Sequence, residues 1–265
     1  MTVYKKLQNI QKKRVSDGML TPVIPSTHNR LLVLLLTQLG DFDTFEYAWW
    51  LHRDAARLSA ANITARAIGI GNRTAGERFC NYTQFPSDAL FIDETAELHQ
   101  QLELYSGLHI NIPGLSTGPA GWLNMMLMCA GIGSPGTLAE VWRGYRGDRQ
   151  APQLIQPDET IQAGPLPPLQ GKSFDIAGGK GFQRPVELAT LRLRNMTEVL
   201  SNWNTYIPTA AYLPQRGATF LFDADGTLLY EHRDRGILGF AQNMSEPLAF
   251  LDAIPLDATA KPAEA

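Results

Sequence analysis

The chain has 265 residues, 44% apolar and 18% charged, with a net charge of −3. That composition gives a globular protein with a sizeable core, and its slight acidic excess asks for no nucleic-acid partner. Cys80 and Cys129 are its only cysteines, which excludes a disulfide framework and any C-x-x-C site.

In chain order, residues 1–29 read as a short basic helix followed by a lead-in punctuated by Pro22 and Pro25. Lys5, Lys6, Lys12, Lys13 and Arg14 form either a solvated helix face or, on the sharper reading, a contact for an anionic membrane surface. Residues 31–36, LLVLLL, are an unbroken apolar run that fits a strand buried on both faces, at the centre of an α/β sheet. Gly40 then turns the chain, and Asp43 with Glu46 makes a D-x-x-E capping box for a helix reaching about residue 60. The connecting loop is where an α/β protein keeps its chemistry, and it offers Asp41, Phe42, Asp43 and Thr44 but no thiol. Residues 63–70 predict a second strand, 74–82 a helix, 89–92 a third strand and 95–105 a helix, so the strands should run parallel.

From 107 to 217 the pattern is mainly helical and loop-like, with frequent Gly and Pro and no clear strand. Residues 121–130, GWLNMMLMCA, predict an apolar helix, a T-x-x-E box at 137–140 starts the next, and 186–203 is a long amphipathic one. Asp225-Gly226 joins strands at 218–222 and 227–230 in a hairpin, a short helix spans 246–251, and 253–265 is a tail. The organisation is therefore a lead-in (1–29), an α/β core in two parts (30–106 and 218–252), an insertion between them (107–217) and the tail.

Two motifs resemble sites. GIGSPG at 131–136 matches G-x-G-x-x-G, but a helix rather than a strand precedes it, so the glycines end one helix and start another and no cofactor is expected. FLFDADGTLL at 220–229 matches the first motif of the haloacid-dehalogenase phosphatases, which would make Asp223 and Asp225 catalytic. The chain left after it is too short to complete such a sheet, so a polar hairpin turn is preferred and a phosphatase kept as an alternative. Helix capping accounts for two members of the Asp41, Asp43 and Glu46 cluster, and the histidines lack metal-ligand spacing, so no metal site is expected.

The order of elements resembles the thioredoxin-like arrangement. LLVLLL, the G-x-x-x-x-x-E loop, AIGIG, FCNYTQFP and FLFDADGTLLYEHRD resemble the peroxiredoxin-like AhpC/TSA antioxidant family, in a branch associated with cyanobacteria and plastids. These stretches cover roughly 30–105 and 217–252 and leave the insertion outside. Redox-active relatives carry a loop like G-C-P-x-C-x-E. Here Asp41 stands at the first cysteine and Thr44 at the second, with Gly40 and Glu46 retained, and Arg216-Gly217-Ala218 lacks the proline that thioredoxins place beside their active site. The resemblance thus implies the fold together with a degenerate site (Asp41, Asp43, Thr44, Glu46), because thiol chemistry needs a thiolate.

The expected function is that of a redox-inactive protein that binds a protein partner or assists assembly. Exposed loops within 144–168, with Arg146, Asp148 and Arg149, are its expected docking surface. No run is long enough to span a bilayer and no secretory h-region follows Met1, so a soluble, intracellular chain is expected. A cytoplasmic or plastid-stromal location, with peripheral attachment to a photosynthetic membrane complex, rests on the resemblance alone. The alternative is a thiol-dependent peroxidase using Cys80; otherwise Cys80 and Cys129 read as small buried hydrophobes.

Overall fold

The computed structural model describes residues 1–26, 29–111, 113–164 and 166–254. The tail expected from residue 253 lies almost wholly outside them. The main sheet is built from β1 (Gln11–Arg14), β2 (Leu20–Pro22), β3 (Arg30–Gln38), β4 (Ile63–Ile70), β5 (Leu90–Asp93), β8 (Ala218–Phe222) and β9 (Leu228–Arg233). Its order is β2-β1-β5-β4-β3-β8-β9. Two further strands, β6 (Thr160–Ile161) and β7 (Leu169–Gln170), form a separate two-residue ladder.

The apolar run dictates the centre. Every residue of β3 is buried, as a strand covered by helices on both faces requires. β3 and β4 pair in parallel, as do β4 and β5, while β8 runs antiparallel to β3 and to β9. Gly226, at φ 83°, makes the turn before β9 in the left-handed region that glycine adopts at least cost. The thioredoxin-like α/β fold implied by the resemblance is present.

The helices are α1 (Val3–Gln8), α2 (Phe42–Arg53), α3 (Ala55–Ala60), α4 (Arg73–Thr83), α5 (Glu97–Gln101), α6 (Thr117–Cys129), α7 (Thr137–Arg146), α8 (Glu187–Ser201) and α9 (Trp203–Tyr206). One apolar core packs α2, α4 and α8 on one face of the sheet, and a second lies beneath α1 and α5 on the other. Among the described residues no helix is long and apolar enough to cross a membrane.

Several expectations need correction. Lys12, Lys13 and Arg14 lie in strand β1, which extends the sheet by pairing with β5, rather than in a basic helix. Lys12 meets Asp93 at 2.8 Å, Lys13 meets Glu94 at 3.1 Å and Arg14 pairs with Asp17, so acids of the same fold face these three. The helix after β3 breaks at Asp54 into α2 and α3. The helix expected at 95–105 is only α5, because Ala96 and Glu103 take positive φ at its two ends. The closing helix is a 3₁₀ turn, Ala249–Ala253.

Candidate functional site

The site begins where β3 ends. β8 is antiparallel to β3, with Ala218 opposite Leu35, so the residues just before β8 arrive beside the loop that leaves β3. Gly217 makes the approach possible: a Cβ there would lie 2.1 Å from the carbonyl oxygen of Leu35. Arg216 is thereby carried into the interior with no exposure at all. Its Nη2 donates to Asp41 Oδ2 at 2.7 Å and its Nη1 to Asp43 Oδ2 at 3.3 Å. The same guanidinium donates to the carbonyls of Leu213 and Pro214.

Asp41 also caps α2, its carboxylate accepting the N–H of Asp43 at 3.1 Å. The D-x-x-E box expected of Asp43 and Glu46 is therefore not formed, since tertiary partners take both carboxylates. Asp43 accepts the N–H of Leu238 at 2.8 and 2.9 Å. Arg192 of α8 donates to Glu46 twice, at 2.6 and 3.0 Å, and to Glu140 of α7 at 2.6 Å. The T-x-x-E box at 137–140 fails for the same reason. Gly136 is the N-cap of α7, the Thr137 hydroxyl donates to the Ile237 carbonyl, and Glu140 holds both Arg143 and Arg192. Thr44 is buried, with its hydroxyl on the Gln38 carbonyl at 3.2 Å and on the Thr37 hydroxyl at 2.9 Å.

Behind this loop lies Asp234, which follows β9 and accepts the Gly217 N–H at 3.3 Å. Its Oδ1 is buried with no hydrogen-bond donor, beside a void of about 10 Å³ that also touches Thr37, Tyr47 and Thr219. Burial, only partly offset by Arg216, raises the Asp234 carboxyl to about 7. Burial and the neighbouring Asp41 push Asp43 well above the usual carboxylate range. Burial works against the charge of Arg216, but Asp41 and Asp43 outweigh it and hold the guanidinium protonated.

The thiols are elsewhere. Cys80 lies in α4 within the main core, and burial pushes its thiol up to about 12. Cys129, at the end of α6, opens on an apolar cavity of about 360 Å³ that also touches Phe42, Val141, Leu193 and Met196. Burial, reinforced by the loop carboxylates Asp41 and Asp43 and only partly offset by Arg216, raises the Cys129 thiol to about 11. Neither thiol is a ready thiolate at neutral pH.

The remaining sequence candidates are dispersed. Asp223 and Asp225 sit in the β8–β9 turn, where their carboxylates accept the N–H groups of Ala224 and Thr227, an arrangement that serves the hairpin. Asp148 is half-buried, accepts from the Ser245 hydroxyl at 2.5 Å and bridges to Gln183. Arg149 stacks over Phe182 at 4.9 Å, while Arg146 is exposed at the end of α7. Arg216, Arg192, Asp234 and Cys129 were not legible as site residues. The one signal for the first was a lone arginine immediately before the hairpin.

The model of the AhpC/TSA antioxidant enzyme family matches residues 50–236. The chain belongs to that family. The AhpC/TSA match runs through 107–217, the stretch that the quoted motifs left outside, and it starts after the Asp41–Glu46 loop. Among solved structures, the chain is similar to the peroxidoxin BcpB from Mycobacterium tuberculosis, with 10% identity over 93% of each chain and a TM-score of 0.44. No curated protein matches it.

Proposed function

We propose that this AhpC/TSA member is redox-inactive at its loop and acts as a non-catalytic protein-binding or assembly factor. The observation that carries this reading is the salt bridge from buried Arg216 to Asp41, the residue that the sequence resemblance sets at the first cysteine of redox-active relatives. A carboxylate cannot be oxidised by peroxide and recycled by a reductant as a thiolate can. Thr44 offers a hydroxyl already bonded within the fold. The loop is thus an internal tie between β3, α2 and the start of β8.

A protein partner would then be met at the surface. Within 144–168 that role falls to exposed Arg146 and Arg149, since Asp148 is taken up by Ser245 and Arg143. Attachment to a membrane complex would be peripheral and would run through that partner.

The test is peroxide turnover with thioredoxin or glutathione as reductant, on the wild type and on Cys80→Ser and Cys129→Ser. No turnover above the no-protein rate is expected. Steady turnover abolished by Cys80→Ser would restore the thiol-peroxidase alternative, and the same loss in Cys129→Ser would move that chemistry to the cavity beside Phe42.

A further inference from the structure

A second cavity lies at the far end of the sheet from the loop that holds Asp41 and Glu46. That loop follows β3, whereas this cavity, of about 360 Å³, is walled by the start of β4, by α2 and α3, and by the α4–β5 connection. β3 and β4 run parallel, so the length of β4, roughly 23 Å, separates the two places. Leu51 of α2, Leu58 of α3 and Phe85 of the connection are buried and make the floor. Around them Ser59, Asn62, Thr64 and Gln84 are exposed and form the rim.

The rim is polar without being charged. Among the described lining residues there is no Asp, Glu, Lys or Arg, and His52 is the one group that titrates near neutral pH. The side chains of Ser59, Asn62 and Thr64 have no hydrogen-bond partner among the described residues. Gln84 uses only its Nε2, on the Asn81 carbonyl at 2.7 Å, and keeps its amide oxygen for another donor. The backbone fixes both carboxamides. Asn62 (φ 56°) donates its N–H to the Ser59 carbonyl at 2.9 Å, and Gln84 (φ 61°) donates its own to the Cys80 carbonyl at 2.9 Å.

These features select a ligand class. A phosphate or carboxylate inside the cavity would meet no counter-ion, and a wholly apolar ligand would leave the rim amides unpaired as they lose water. A flat, uncharged heterocycle with alternating donors and acceptors suits both parts. Its face packs on Phe85 and the two leucines, and its edge meets a carboxamide, as Asn and Gln meet adenine through two hydrogen bonds. The volume lies at the lower end of the roughly 300–1,000 Å³ of small-molecule sites, which fits one ring system better than a dinucleotide. We propose that this cavity binds a purine base or its nucleoside. The proposal does not depend on the redox state of the loop at the other end of the sheet.

Titration calorimetry and amide NMR on the full chain test it with adenine, adenosine and AMP, comparing the wild type with Asn62→Gly, Gln84→Gly and Ala55→Phe. Glycine keeps the left-handed backbone at 62 and 84, and Ala55 lines the cavity from an exposed position. All three variants should therefore fold, which melting curves check. Adenine or adenosine should saturate the wild type at submillimolar concentration and shift the amide signals of Asn62 and Thr64. Each glycine variant should weaken binding at least about 5-fold, the low end for loss of a bidentate contact, and Ala55→Phe should abolish it. AMP should bind no more tightly than adenosine. Tighter binding of adenosine than of adenine assigns the cavity to the nucleoside, and the reverse to the free base. No saturation by either at millimolar concentration would overturn the proposal. So would binding that survives both glycine variants, or AMP binding more tightly than adenosine.

Discussion

At the end of β3, Asp41, Asp43, Glu46 and Arg216 are charged side chains held out of water, while on α6 and α7 Trp122, Met126, Leu138 and Trp142 are apolar side chains held in it. Both arrangements run against the free energy of an isolated side chain, and the two are resolved differently. Buried charge is tolerated only with partners inside the same fold, and here every carboxylate of the loop faces a guanidinium. An exposed apolar side chain has no such internal remedy, and its surface stays in water. The loop at the end of β3 is tied by ion pairs within the fold, whereas exposed apolar side chains lie on the α6–α7 hairpin.

The strongest way to break this contrast is Arg216→Met. It leaves Asp41 and Asp43 buried without their cation, and stability should fall by about 3–5 kcal/mol in urea titrations. A loss below about 1 kcal/mol would mean that the loop is not held by this pair.

Asp234 gives the next largest effect. Its folded pKa of about 7 lies above the ordinary 3.8, so the native state binds the proton more tightly than the unfolded chain. Its stabilising contribution is therefore full below about pH 4 and is lost as pH rises to about 7. Asp43, raised in the same direction, adds to that trend. Asp234→Asn should flatten the fall and gain no more than about 4 kcal/mol at pH 8. Melting curves from pH 4 to 8 check this, and an unchanged slope would contradict it.

Arg192→Gln should cost about 2–3 kcal/mol, through lost charged hydrogen bonds to Glu46 and Glu140. Because Arg192 joins α2 to α7, that variant should also raise amide exchange in both helices. At the small end, Arg146→Ala should change stability by less than about 0.5 kcal/mol, as its side chain is exposed. If the 144–168 surface docks a partner, the same change should weaken capture without moving the melting temperature.

The legible parts of this protein were those whose determinants are local. Six consecutive apolar residues leave little choice but a doubly covered strand, and residues 63–70 were readable to the residue as β4. Asp225-Gly226 specified its own turn. The outer strands β1 and β2 were hidden because they are short and polar, and they join the sheet through the pairing of β1 with β5 rather than by their own pattern. Both capping boxes were misread because D-x-x-E and T-x-x-E are satisfied locally only when nothing better is near. Asp43 and Glu46 instead found guanidiniums 173 and 146 residues away. Such pairings leave no periodic trace, so the loop could be read as lacking a thiol but not as an internal tie.

The pairing of β3 with β8 also has a consequence for synthesis. Asp41 and Arg216 are 175 residues apart, so β3 leaves the ribosome long before the strand that covers its second edge. At about 5–20 residues per second the wait is on the order of 10–35 s. For that time the sequence most able to build cross-strand aggregates is paired on one side only. The nascent chain should therefore depend on a chaperone until residue 222 has emerged, and a fragment ending before residue 218 should be insoluble where the full chain is not.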